Sequence, residues 1–143
     1  MSFTYDYIRS AQIVAYLLNK SGGEQNLLKL VKLLYIAERE SLRQRGLSLT
    51  ADDAWALPNG PVLTRIYNNL RDDPSLPFKT GEEDYWLEHF GRTGNTIKLE
   101  VPVGNDRLSE SDEAIIDQVF EEYKDLTPSQ LVDLTHTFPE WQA

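Results

Sequence analysis

The sequence predicts a mainly α fold: a single compact helical domain over residues 1–143, of about five to six helices, with a small two-stranded antiparallel β-hairpin inserted before the last two helices. Three observations predict it. Apolar residues recur at helical spacing through most of the chain. Caps, first-turn prolines and trailing glycines bracket those runs. One segment alone, Thr96-Ile97-Lys98-Leu99-Glu100-Val101, alternates cleanly with period two. A chain of 143 residues can bury about 70% of its unfolded surface, and no internal repeat or long linker divides it.

Asp6 caps a first helix of residues 7–20, whose apolar stripe is Ile8, Ala11, Val14 or Ala15, and Leu18, and Ser21-Gly22-Gly23 ends it. The second segment is apolar at Leu27, Leu28, Leu30, Val31, Leu33, Leu34, Tyr35, Ile36 and Ala37. That is more than one helical face holds, so this helix is central and buried. Its polar positions Lys29, Lys32, Arg39 and Arg43 line up along one side as a cationic stripe, and Gly46 stops it. Thr50-Ala51-Asp52-Asp53 then starts a short turn or helix leading to Trp55. In Leu57-Pro58-Asn59-Gly60-Pro61-Val62, Gly60 supplies a positive φ and Pro61 takes the first position of a helix. Val62, Ile66 and Leu70 form its stripe, with Leu63 and Tyr67 beside it, and Pro74 closes it.

Tyr85–Phe90 reads as the partner of the alternating strand, across turn chemistry at Gly91 to Asn95. A register pairing Leu87 with Leu99 also pairs Tyr85 with Val101 and sets Glu88 opposite Lys98. The alternative makes Glu83–Phe90 a short helix. Ser109 with Asp112 resembles a capping box ahead of a helix bearing Ile115, Ile116, Val119, Phe120 and Tyr123. Before the last helix Thr127 caps, Pro128 takes the first position, Gln130 closes the box and Leu126 staples to Leu131. Pro139 ends regularity, and Trp141 offers a large apolar anchor.

Composition removes several function classes. Cysteine is absent, which excludes disulfides, thiolate metal sites, Fe–S clusters and cysteine nucleophiles, and fits a reducing compartment. The N-terminus has neither a basic n-region nor an apolar h-region, and no apolar run is long enough to span a bilayer, so a cytoplasmic protein without membrane contact is expected. His89 and His136 show no metal-binding spacing, no serine sits in G-x-S-x-G, and Thr135-His136-Thr137 is no triad. No catalytic residue, metal or cofactor is therefore expected. Residues 1–71 carry nine Lys/Arg against six Asp/Glu, for +3, and residues 72–143 carry five against seventeen, for −12. Such an acidic half repels phosphate backbones and favours basic partners, which counts against nucleic acid.

Three segments, in order, resemble the SocA-like Panacea domain, a family of antitoxins in bacterial and phage toxin-antitoxin pairs. The first is LLKLVKLLYIAERE, similar to the family's leucine- and lysine-rich core helix at Leu30, Lys32, Leu33, Leu34 and Tyr35. The second is AWALPNGPVLTRIYNNL, matching at Ala56, Gly60, Pro61, Val62 and Tyr67, and the third is LVDLTHTFPEW, matching at Leu134, Thr135, His136 and Trp141. One departure is Val31, where family members often carry glutamine.

The resemblance implies a mainly helical domain that neutralises a co-encoded toxin by direct binding. One branch of the family is similar to a proteolytic adaptor that delivers its toxin to a Clp-type protease. The cognate toxin is thus the expected partner, and the expected partner-binding residues are Lys32, Tyr35, Asn59, Gly60, Pro61, Tyr67, His136 and Trp141. Two rival readings stand beside it: a small enzyme or binding protein for a phosphorylated ligand at the Lys32 and Gly60-Pro61 region, and a DNA-binding regulator using the cationic stripe.

Overall fold

The structure, a computed structural model, describes residues 5–51, 54–57, 60–71 and 81–139. Six helices lie among the described residues: α1 (Tyr7–Lys20), α2 (Leu27–Arg45), α3 (Thr64–Arg71), α4 (Gly81–His89), α5 (Glu110–Tyr123) and α6 (Pro128–His136). The strands are β1 (Glu24–Asn26), β2 (Ala54–Leu57), β3 (Gly60–Leu63), β4 (Phe90–Thr93) and β5 (Thr96–Leu99). No described helix is long and apolar enough to cross a membrane.

Helix α2 is the axis of the fold. The other five helices supply its cover: α1, α3, α5 and α6 pack directly on it, while α4 packs on α3 and β4. The all-round apolar pattern explains this, since Leu30, Leu33, Leu34 and Ile36 point in different directions yet are all buried. They meet Ile13, Leu17 and Leu18 of α1, Ile66 of α3, Trp86 of α4 and Leu131 of α6 in one core.

Local chemistry sets the helix ends. The Asp6 carboxylate accepts from the Ile8 and Arg9 amides at the start of α1. Gly46, at φ 67°, ends α2 with its amide donating to the Leu42 carbonyl. Helices α5 and α6 both open on complete capping boxes, Ser109 with Asp112 and Thr127 with Gln130. The Thr127 hydroxyl is one of few anchors at the exposed entry to α6. Thr127→Ala is therefore expected to lower stability by about 1 kcal/mol, read as an earlier urea midpoint at unchanged slope.

The β structure differs from expectation in three places. The expected hairpin is part of a three-stranded antiparallel sheet in the order β1-β5-β4. The third strand, β1, is only three residues long, too short to show an alternating pattern. Second, Tyr85–Phe90 is not a strand: Tyr85 to His89 belong to α4, and the partner strand begins at Phe90, pairing Phe90 with Leu99 and Thr93 with Thr96. Helix wins because the acidic run Glu82-Glu83-Asp84 falls in its first turn, where the helix dipole favours it, and because Trp86 is buried against Phe90 with ring centroids 5.1 Å apart. The hairpin turn is then only Gly94-Asn95, with Gly94 at φ 60° as a type II′ turn requires.

Third, Pro61 does not start a helix. Ala54–Leu57 and Gly60–Leu63 form an antiparallel pair, Leu57 opposite Gly60 and Ala56 opposite Pro61, and α3 starts only at Thr64. A proline is compatible with a two-stranded ribbon, where each strand has an unpaired edge. The expected turn or short helix before Trp55 gives way to strand β2 from Ala54, while Asp52 and Asp53 lie outside the described residues.

Candidate functional site

Positions 32, 35, 36, 39 and 43 share one face of a helix. Helix α6 and strand β3 both pack on α2 and on each other, and the chain just past α6 meets this face at Tyr35 and Arg39. Three stretches distant in sequence thus meet at one place: the middle of α2, the second strand of the β2–β3 ribbon and the end of α6. The elements that carry Lys32, Tyr35, Gly60, Pro61 and His136 thus pack on one another.

Tyr35 is buried and stacks on Phe138 just past α6, with centroids 6.3 Å apart and planes 27° apart. The Arg39 guanidinium lies 4.0 Å from the centroid of the Phe138 ring, a cation–π contact. Phe138 is held there by backbone bonds, its amide donating to the Thr135 carbonyl while Thr137 donates to Leu134. His136 sits in the last turn of α6, half-buried.

Lys32 is the unusual member, fully buried at 0% exposure on the central helix. Burial disfavours its charged form and lowers its pKa to about 8. A lysine retained in a core at a cost to stability is a functional-site candidate. Its lowered pKa means the unfolded chain binds a proton that the folded chain has released between about pH 8 and 10.5, so stability rises with pH across that window. Lys32→Met is accordingly expected to be more stable than wild type at pH 7, by on the order of 2 kcal/mol, with the margin shrinking toward pH 10.5. Thermal unfolding at pH 7 and pH 10 reads both.

The cationic stripe expected on α2 is not an open surface. Lys32 is buried, Arg39 stacks on Phe138, Lys29 Nζ donates to the Lys124 carbonyl and Arg43 pairs with Glu40 at 2.9 Å. The rival reading of an anion site at Gly60-Pro61 loses its helix N-terminus, because the backbone of both residues lies in a strand pair. Tyr67 is half-buried on α3, which packs on α2 and β3, and it faces Arg71, whose guanidinium is 5.2 Å from the ring centroid. Asn59 and Trp141 lie outside the described residues.

Two buried carboxylates hold this arrangement from behind. Asp112 accepts from Arg9 of α1 at 2.9 Å and from Arg45 of α2 at 3.0 Å, and its side chain is only 5% exposed. Burial would raise its pKa, but the hydrogen bonds from Arg9, the Ser109 amide and Arg45 outweigh that and hold the carboxyl well below the usual range. Glu38 of α2 accepts from Ser48 Oγ, the Leu49 and Thr50 amides and Thr50 Oγ1, and so pins the chain that leads to β2. Sequence reading missed Phe138 and these two roles. An aromatic just beyond the last turn of α6 was a usable signal for Phe138, whereas Asp112 was legible only as a cap.

Among the described residues no group of three or more His, Asp or Glu stands close enough to hold a metal ion. What the region holds is a buried aromatic pair, Tyr35 and Phe138, with the Arg39 guanidinium over the second ring. A family profile described as antitoxin SocA-like, Panacea domain, matches residues 30–142, which includes all three converging stretches. No curated protein and no solved structure matches the chain.

Proposed function

The chain belongs to the SocA-like Panacea antitoxin family, and we propose that it neutralises a co-encoded toxin by binding it directly, without catalysis, through the surface over α2, β3 and α6. The observation that carries this reading is the convergence of the three sequence stretches on one another. A contact surface assembled from distant segments on a rigid core loses little entropy when a partner docks. Lys32, on the same helix, is buried at a desolvation cost.

Charge supports a basic partner. Glu110, Glu121, Glu122 and Asp125 are exposed on and just after α5, in the half of the chain that carries the negative charge. Such a field speeds the approach of a basic surface, including one that handles RNA or nucleotide phosphates, and opposes approach to DNA. Delivery of the bound toxin to a Clp-type protease is the version of this reading in which the toxin's half-life falls on co-expression; simple occlusion leaves the half-life unchanged.

The test is genetic. The open reading frame adjacent to this one is expected to arrest growth when expressed alone and to be harmless when expressed with this chain. A neighbour that is harmless by itself, or one that still arrests growth in the presence of this chain, would contradict the reading.

A further inference from the structure

Between α2 and the β2–β3 ribbon the chain is held by three side chains. Glu38 and Ser41 share a face of α2, and Gly46 ends that helix in the left-handed conformation. Ser41 Oγ donates to the Leu47 carbonyl at 2.6 Å. The Glu38 carboxylate, buried at 5% exposure, accepts from Ser48 Oγ at 2.8 Å, from the Leu49 amide, from the Thr50 amide at 3.1 Å and from Thr50 Oγ1 at 2.6 Å. Arg9 of α1 donates to the Leu49 carbonyl from Nε at 3.1 Å and from Nη2 at 3.0 Å. Leu49 and Thr50 are themselves buried.

The last residue of this turn is strained. Ala51 has φ 59° and is the one non-glycine residue with a positive φ among those described, in a region that a Cβ disfavours. Its amide donates to Ser48 Oγ at 2.7 Å, and that hydroxyl donates in turn to Glu38. Such strain persists only where the surroundings over-determine the conformation. Here one carboxylate does so, directly at Leu49 and Thr50 and through Ser48 at Ala51.

What the turn controls is the ribbon. Strand β2 begins at Ala54, three residues after Ala51, and Ala54 pairs with Leu63, which is buried in the core just before α3. The base of the ribbon is thus tied on both strands, at Thr50 and at Leu63, and the pairing runs from there to Leu57 opposite Gly60. A two-stranded ribbon is marginal by itself. Its formation therefore depends on that base and on the packing of β3 against α2 and α6.

We infer that Glu38 is a positioning residue for the partner protein: by holding the turn at Ala51, it presents β3 already formed. This rests on the reading of the surface over α2, β3 and α6 as the toxin contact. Being buried, Glu38 acts through the turn and not by contact.

Hydrogen exchange on the free chain tests the positioning without any toxin. Glu38→Gln sets an amide donor among the groups that donate to this side chain. It is expected to strip protection from the amides of residues 54–57, 60, 62 and 63 while those of α1 and α5 keep theirs. Ser48→Ala cuts only the link to Ala51, at a half-buried position. It is expected to speed exchange of the same ribbon amides about tenfold, and it is the deciding variant if Glu38→Gln unfolds the whole chain. Ribbon amides already unprotected in wild type overturn the inference. So do variants whose ribbon amides exchange as in wild type, or accelerate no more than those of α1 and α5. Binding to the product of the adjacent reading frame is the second readout. Glu38→Gln is expected to associate about tenfold more slowly, with dissociation changed less than about threefold, because only chains with a formed ribbon are competent to bind. If wild type binds and folded Glu38→Gln associates equally fast, the positioning inference fails and the antitoxin reading stands. If wild type does not bind, the antitoxin reading fails, and the role assigned to Glu38 falls with it.

Discussion

Asp112→Asn is expected to lower the stability of the protein by about 3 kcal/mol at pH 7, the cost of removing one partner from a buried ion pair. The substitution keeps the size of the side chain and an acceptor for the Ser109 end of α5. What it removes is the negative charge between Arg9 and Arg45, whose side chains are only 12% and 19% exposed. Two cations from α1 and α2 are then left facing each other with little water to separate them. The pH dependence gives the signature. Because the folded carboxyl titrates below its ordinary value of 3.8, its contribution is fully present above about pH 4 and is lost as pH falls through the folded pKa. The gap between wild type and Asp112→Asn should therefore be full at pH 7 and close progressively below pH 4. Urea unfolding across that range measures it, and a gap that persists undiminished in acid would assign the loss to packing rather than charge.

The second large effect concerns binding. Tyr67→Ala and His136→Ala are each expected to weaken toxin binding about 30-fold, the loss of an interface hot spot worth about 2 kcal/mol. Both side chains are half-buried and sit at the rim of the packed core rather than inside it, so the variants should remain folded with modest loss of stability. Calorimetry against the purified toxin and circular dichroism on the same samples separate the two effects. Folded variants that bind as tightly as wild type would remove these residues from the contact surface.

The parts of the fold legible in sequence are those decided within a few residues. Asp6, Gly46, Ser109 with Asp112, and Thr127 with Gln130 each satisfy backbone groups of their own helix end, so α1, α2, α5 and α6 stand where those signals put them. The parts that were not legible depend on partners far along the chain. Pro61 has the same restricted φ at the start of a helix as in a ribbon strand, and only the pairing of Ala56 with it decides between them. Helical spacing puts Lys32 on the polar side of α2, and only the packing of the other elements around that helix buries it. Asp112 reads locally as a cap, while its pairing with Arg9 and Arg45 spans most of the molecule. The motif residues were visible one by one, but the sequence alone did not show that α2, β3 and α6 meet.

That meeting is the basis of the proposed toxin surface, and hydrogen exchange on this chain with and without the product of the adjacent reading frame tests it most directly. Slowed exchange is expected in residues 60–67 and 131–139, where β3, α3 and α6 border the buried face of α2. Protection confined to α1, to the outer face of α5 or to the β1-β5-β4 sheet, with no change in those two stretches, would place the toxin elsewhere and contradict it.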